Sequence, residues 1–292
     1  MQRLNVIGTG RVGQALARLW HARGLCEVQD LLARRADSVA RAQAFIGAGR
    51  AAAGLDDLRE ADLWMLSVPD SQVAEVAAQL AQSLRARGQV RPALAFHCSG
   101  FLPASAMAPL QALGWLAASV HPVLNFASPE AGAARFPGTP CGLEGDAAAK
   151  GALRPLFEAI GGECFEVQGE HKPLYHGAAV ICSNFMIVLQ AIAREAWAEA
   201  GVPPALVPKV NEALLRATVE NTLALGPAGS IVGPAARGDT AVVLAQGDRV
   251  AHWHPEAGRI YREMSVLARR LAVTGSTLPA DRDDAAAEVR AS

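Results

Sequence analysis

With 292 residues, a net charge of −1, 51% hydrophobic residues and 19% charged, the chain has an ordinary globular composition, long enough for two modest domains or one large one. So small a charge gives no electrostatic footprint for nucleic acid or an anionic membrane as partner. Apolar runs such as Ala178 to Ile192 are broken by Ser183, Asn184 and Gln190 and read as too short to span a bilayer, and no basic-then-apolar leader precedes Val6 and Ile7. Cys26, Cys98, Cys141, Cys164 and Cys182 form no C-x-x-C pair, which favours cytoplasmic thiols over a disulfide framework or a zinc ribbon.

Through the first half, short apolar runs alternate with helical stretches, the pattern of a parallel sheet covered on both faces. Strands are expected over Leu4 to Gly8, Val28 to Ala33, Leu63 to Val68, Leu94 to His97, Leu116 to His121, Cys141 to Glu144 and Cys164 to Val167. Helices are expected over Val12 to Arg23, Ser38 to Ile46, Ser71 to Arg87, Pro103 to Leu113 and Ala147 to Ile160, and this α/β domain should occupy residues 1–169. From Pro173 the strand signals stop. An apolar helix runs to Ala200, a second opens at Pro203 and Pro204 and ends near Gly226, and a Gly/Pro-rich loop reaches Gly238. Asp239 stands as an N-cap, and a last helix covers Pro255 to Val273, giving an all-α domain over 170–279. Residues 280–292 lack an apolar period and read as a flexible tail.

Gly8, Gly10 and Gly13 form G-x-G-x-x-G between the first strand and the first helix. Gly8 permits the tight turn, Gly10 the approach of a pyrophosphate and Gly13 close helix packing, while the helix start offers free N–H groups. The loop with Thr9, Arg11 and Val12 is therefore the expected dinucleotide cradle. About 20 residues beyond the last glycine, where an acid would hold a ribose in an NAD protein, stand Ala33, Arg34 and Arg35. Two guanidiniums suit a 2'-phosphate, so NADP is expected over NAD; Asp30 falls short of the distance and lies within the strand.

Ligands in open α/β sheets lie at the carboxyl ends of the strands. Those ends carry Ser67, Val68, Pro69 and Asp70, then His97, Cys98, Ser99 and Gly100, then His121 and Pro122. Ser67, Val68, Pro69 and His97 are expected along the cofactor, and Ser99 and His121 beside the substrate. At about 100° per residue, Lys172, His176, Ala179 and Ser183 share one stripe of the next helix, with Asn184 following. Lys172 would donate a proton or hold a carboxylate, and His176 has the range for general acid work. Arg237, in the loop Gly233 to Asp239, is a candidate anion contact that has Asp239 as a potential partner. His252 and His254 have no further ligand at metal spacing, so no metal is expected.

These segments together, G-T-G-R-V-G at Gly8, Val68 to Asp70, His97 to Gly100, His121 and Pro122, K-P-L-Y-H at Lys172, Ser183 and Asn184, and G-P-A-A-R-G-D at Gly233, resemble bacterial Rossmann-like proteins with a C-terminal helical domain of unknown function. Distant relatives are pyrroline-5-carboxylate reductase and the 6-phosphogluconate and β-hydroxyacid dehydrogenases. The resemblance implies an NADP-linked reductase, a homodimer through its helical domain; the expected substrate is a small C=O or C=N compound, with or without a carboxylate. It reproduces neither the serine-glycine substrate loop of the pyrroline reductases nor the lysine-asparagine spacing of the β-hydroxyacid dehydrogenases, because four residues after Lys172 comes His176. The competing readings are a non-catalytic NADP-binding sensor or scaffold and a deazaflavin-dependent reductase, the latter needing a second flat cofactor pocket of which the sequence carries no sign.

Overall fold

The computed structural model describes residues 1–88 and 90–279, so the tail expected over 280–292 lies outside the described residues. The first half alternates β1 (Gln2–Ile7), α1 (Arg11–Ala22), β2 (Cys26–Leu32), α2 (Ala36–Ile46), β3 (Arg50–Ala51), β4 (Leu63–Leu66), α3 (Asp70–Ala86), β5 (Leu94–His97), α4 (Ala108–Gln111), β6 (Leu116–Pro122), α5 (Pro129–Arg135), β7 (Pro140–Gly145), α6 (Ala147–Glu158) and β8 (Glu163–Glu166). All eight strands join one sheet in the order β3-β2-β1-β4-β5-β6-β7-β8. Every pair is parallel except β6 with β7. The order reverses between β1 and β4, which places a topological switch point at their carboxyl ends.

The strands sit between two apolar clusters, as a sheet covered on both faces requires. Met65 joins the cluster of Trp20, Phe96, Phe136 and Phe157, while its neighbours Trp64 and Leu66 join that of Met107, Leu110 and Trp115. Trp20 meets Phe96 and Phe157 edge-on and donates its indole N–H to the Leu156 carbonyl at 2.9 Å.

Three local expectations change. The two-residue β3 is too short to carry a periodic signal. The seven-residue α5 was also not expected; its cap is Ser128, whose hydroxyl accepts from the Ala131 N–H at 3.1 Å. The helix expected over Pro103 to Leu113 is a 3-10 turn (Ala104–Met107) followed by the single turn α4. Pro109 has no N–H to continue an α-helical ladder, which accounts for the break.

The chain divides into two compact units, residues 1–184 and the segment from Phe185 onward. The boundary expected at 169 is thus moved, because α7 (Lys172–Val180) belongs to the sheet unit. A π-helical turn, Ile181–Phe185, follows and leads into α8 (Met186–Glu199). The whole helix, Gly169–Glu199, has 31 residues and a mean hydropathy of 1.6 in its most apolar stretch, long and apolar enough to cross a membrane by length and composition. The expectation of short apolar runs fails because the π turn carries the helix through Ser183 and Asn184.

The second unit continues with α9 (Val207–Ser230), whose helical dihedrals break at Gly226 (φ 71°), then α10 (Pro234–Arg237), α11 (Thr240–Trp253) and α12 (Pro255–Thr274). The expected loop from Gly226 to Gly238 is therefore largely helical. Asp239 does stand at the N-cap of α11, but without a side-chain cap bond. Among the described residues of this unit, Val207 and Ala257 are its only buried hydrophobic side chains, while Leu223 and Val232 are 82% and 83% exposed.

Candidate active site

The glycine loop has the dimensions its sequence implies. Gly8 takes a left-handed φ of 95°, and a Cβ there would stand 2.2 Å from the Ser67 carbonyl oxygen. A Cβ on Gly13 would lie 2.8 Å from the Gly8 carbonyl oxygen and 2.9 Å from Ser67 Oγ, so helix α1 touches the strand ends only because this side chain is absent. In front of Gly10 the nearest atom is 3.8 Å away. No side chain caps α1, which leaves its first amides free, and the buried Thr9 Oγ1 has no hydrogen-bond partner.

A cleft of about 700 Å³ opens here, lined by Gly8, Thr9 and Gly10, by Ala33, Arg34, Arg35 and Ser38, and by Ser67, Val68 and Pro69. Free helix amides and an orphaned hydroxyl fit the pyrophosphate of a nicotinamide dinucleotide, with guanidiniums at the far end. Arg11 turns to a neighbouring cavity of about 690 Å³, with its Nη1 3.4 Å from the Phe126 carbonyl oxygen. Val12, expected in the cradle, packs its side chain against the core while its amide lies in the first turn of α1.

The two arginines differ. Arg35 forms a bidentate pair with Asp37, Nε to Oδ1 at 3.0 Å and Nη2 to Oδ2 at 2.9 Å, and Arg41 Nη1 adds a third contact at 3.0 Å. The hydrogen bonds from Arg35, joined by those from Arg41, hold the Asp37 carboxyl far below its usual range. Arg34 makes no hydrogen bond or ion pair among the described residues and is exposed. Asp30 is fully buried between Arg50 Nε at 2.9 Å and Arg59 Nη2 at 2.6 Å. Burial pushes its carboxyl upward, but the bonds from Arg59 and Arg50 outweigh it and leave Asp30 ionised and committed.

At the ends of β5 and β6 the polar residues separate into a brace and an open cluster. In the brace, Ser99 Oγ accepts from the Phe101 and Leu102 amides at 3.1 and 2.9 Å, and Ser119 Oγ donates to the Ser99 carbonyl at 3.0 Å. Lys172, 1% exposed at the start of α7, donates to that same carbonyl at 3.0 Å and to Ser119 Oγ at 2.7 Å. Burial lowers its ammonium to about 8, against the pull of Glu144 and Asp70. Lys172, expected as proton donor or carboxylate anchor, has its Nζ enclosed where it stitches α7 to two strand ends, and Ser99, expected beside the substrate, fixes its turn through Oγ.

His97 belongs to the brace as well. It is fully buried, its Nε2 is 3.1 Å from the Pro103 carbonyl oxygen, and its Nδ1 accepts from the Ser99 amide at 3.2 Å. Burial holds it down to about 4, so the ring, expected along the cofactor, is neutral.

The open cluster is His121, Tyr175 and His176. His121 Nδ1 is 2.9 Å from the Tyr175 hydroxyl, and its ring meets Tyr175 and His176 edge-on at 5.5 and 5.8 Å. Gly100 makes room for both imidazoles: a Cβ there would lie 2.6 Å from His176 Cδ2 and 2.8 Å from His121 Cε1. Burial, with Lys172 and His176 nearby and Asp70 opposing, keeps His121 down to about 4 and hence neutral. Tyr175 was missed as a site residue; it is one of only two tyrosines and directly precedes His176.

Ser183 and Asn184 lie in the π turn, with Ser183 Oγ 2.8 Å from both the Ala179 carbonyl oxygen and Asn184 Oδ1. Neither hydrogen-bonds to the histidine cluster among the described residues. Arg237, in the second unit, pairs with Asp239 at 2.9 Å. No group of metal-ligating side chains occurs among the described residues.

Comparison with known proteins agrees with this architecture. Residues 2–122 match the Rossmann-like domain, and residues 139–268 match a domain of unknown function, DUF2520. The first part of the chain is thus similar to Rossmann-like domains and the later part to DUF2520 domains. It is similar to protein TM1727 from Thermotoga maritima, at 25% identity and a TM-score of 0.71 over 92% of this chain and 98% of that one. BF3122 from Bacteroides fragilis, named as a candidate NADP oxidoreductase, is 21% identical with a TM-score of 0.70, again over 92% and 98%. An imine reductase from Streptomyces aurantiacus is 24% identical with a TM-score of 0.56 over 94% and 96%. No curated protein matches the sequence.

Proposed function

We propose that this protein is an NADP-dependent oxidoreductase that transfers hydride between NADPH and a small C=O or C=N compound. The observation that carries the reading is the pairing of the open cluster His121, Tyr175 and His176 with the phosphate-binding cleft. His121 ends β6 with Tyr175 and His176 of α7 against it and Gly100 just beyond β5, and the end of β4, the neighbour of β5 in the sheet, lines the cleft. The names of similar structures, an NADP oxidoreductase candidate and an imine reductase, support the same class.

When bound, the cofactor supplies or accepts the hydride. Reduction also needs a proton, because hydride addition leaves an electron pair on the substrate oxygen or nitrogen. His176, half-buried and free of the brace, gives that proton from its imidazolium form and becomes neutral. His121 orients the acceptor atom, and Lys172 holds the strand ends on which both rings rest. Arg34 takes the 2'-phosphate. Mixing the protein with NADPH and a panel of keto and imino compounds tests this, and NADPH consumption with at least one compound is the expected result. Tight NADPH binding with no turnover across the panel would favour a sensor or scaffold and defeat the proposal.

The partner we propose is a second copy of the chain. A helical unit with two buried hydrophobic side chains among its described residues, and with Leu223, Leu225, Val232 and Leu244 exposed, has too little core to stand alone. Light scattering at micromolar concentration is expected to show a dimer, and a monomer would contradict this. The five free thiols suit a cytoplasmic setting.

A further inference from the structure

The His121–Tyr175 bond allows two arrangements, because either partner can donate. We infer that the Tyr175 hydroxyl donates to His121 Nδ1, fixing the proton of His121 on Nε2 and presenting that N–H to the substrate's acceptor atom. Tyr175 is then a positioning residue that acts through His121. The inference rests on the oxidoreductase reading for its last clause only.

Two independent placements support it. The Tyr175 hydroxyl lies over Gly142: a Cβ there would stand 2.8 Å from it and 3.1 Å from Val167 Cγ2. Phe165 packs against the tyrosine ring at 6.1 Å, so the ring is wedged with its hydroxyl facing His121. Among the described residues that hydroxyl has no hydrogen-bond partner other than His121 Nδ1. Were the imidazole to donate instead, the phenolic proton would have no acceptor among the described residues.

The other edge of His121 points the opposite way. Its Nε2 makes no hydrogen bond among the described residues and lies against Gly100, 2.9 Å from where a Cβ would be, beside His176. With the phenol pushed up to about 12 by burial and by Cys141, and the imidazole held down to about 4, both groups stay neutral across the working range. A neutral imidazole N–H polarises a carbonyl or imine without surrendering its proton, and the neighbouring His176 is left to transfer one. The two histidines therefore divide the work. His121 donates a hydrogen bond, and His176 donates the proton.

The test is a long-range proton–nitrogen NMR correlation on the full-length protein, uniformly labelled with nitrogen-15, near neutral pH. The His121 signals are assigned by their loss in His121→Gln. The expected spectrum shows Nε2 as the protonated nitrogen and Nδ1 as the bare one. In Tyr175→Phe the two nitrogen shifts should move toward each other as the tautomers mix, and Gly142→Ala, which crowds the hydroxyl without removing it, should do the same. Kinetically, Tyr175→Phe should lower kcat by about 10-fold or more with KM for NADPH unchanged, as when a catalytic histidine loses the group that sets its tautomer. A proton on Nδ1 in the native protein, or shifts unmoved in Tyr175→Phe, overturns the inference. Failure of the substrate panel alongside the expected tautomer would sink the oxidoreductase reading and leave the Tyr175 assignment standing.

Discussion

His176→Ala is expected to lower kcat by about 100-fold or more, the usual contribution of a positioned general acid. The affinity for NADPH should stay within about twofold, a change of under about 0.5 kcal/mol, because His176 does not line the cleft. The prediction separates His176 from its neighbours. Lys172, one turn before His176 on α7, is enclosed and donates to the Ser99 carbonyl and to Ser119 Oγ. Lys172→Met should accordingly act first on stability, by leaving the Ser99 carbonyl short of a donor. If His176→Ala turns over at the native rate while Lys172→Met is folded and inactive, the proton donor has been assigned to the wrong residue.

Arg34→Ala is expected to weaken NADPH binding by about 10–100-fold and to leave NADH binding almost unchanged. The magnitude follows from a charge-assisted bond to phosphate, worth about 1.5–3 kcal/mol. Arg35→Ala should cost less, because Arg35 already spends both arms on Asp37 and must release it before gripping a phosphate. Added salt should shrink the preference for NADPH, since the guanidiniums are exposed to screening. Fluorescence titration of both cofactors against the native protein and Arg34→Ala measures this directly. Equal losses for NADH and NADPH, or a native preference for NADH, rule out Arg34 as the 2'-phosphate contact.

What the sequence could express was mostly what is local. G-x-G-x-x-G carries its own geometry, because missing side chains at Gly8 and Gly13 are visible as letters and the contacts they permit are backbone contacts. The buried strands β1, β4, β5 and β6 announce themselves as apolar runs between helices, so the sheet and its ligand-bearing ends were legible. The state of the polar residues at those ends was not. Whether Lys172 is a proton donor or a brace depends on Ser119, which lies 53 residues earlier in the chain. Tyr175 and His176 are adjacent in sequence, yet only the packing over Gly142 and Gly100 shows that the two rings converge on one space. The π turn was hidden for another reason: helical periodicity assumes a constant step, and Ile181–Phe185 departs from it.

The place where the chain divides has a bearing on how such a protein diversifies. Because α7 belongs with the sheet, every residue of the His121, Tyr175 and His176 cluster and of the phosphate cleft is encoded before residue 185. Inheritance can therefore rework everything downstream without disturbing how the His121, Tyr175 and His176 cluster is mounted.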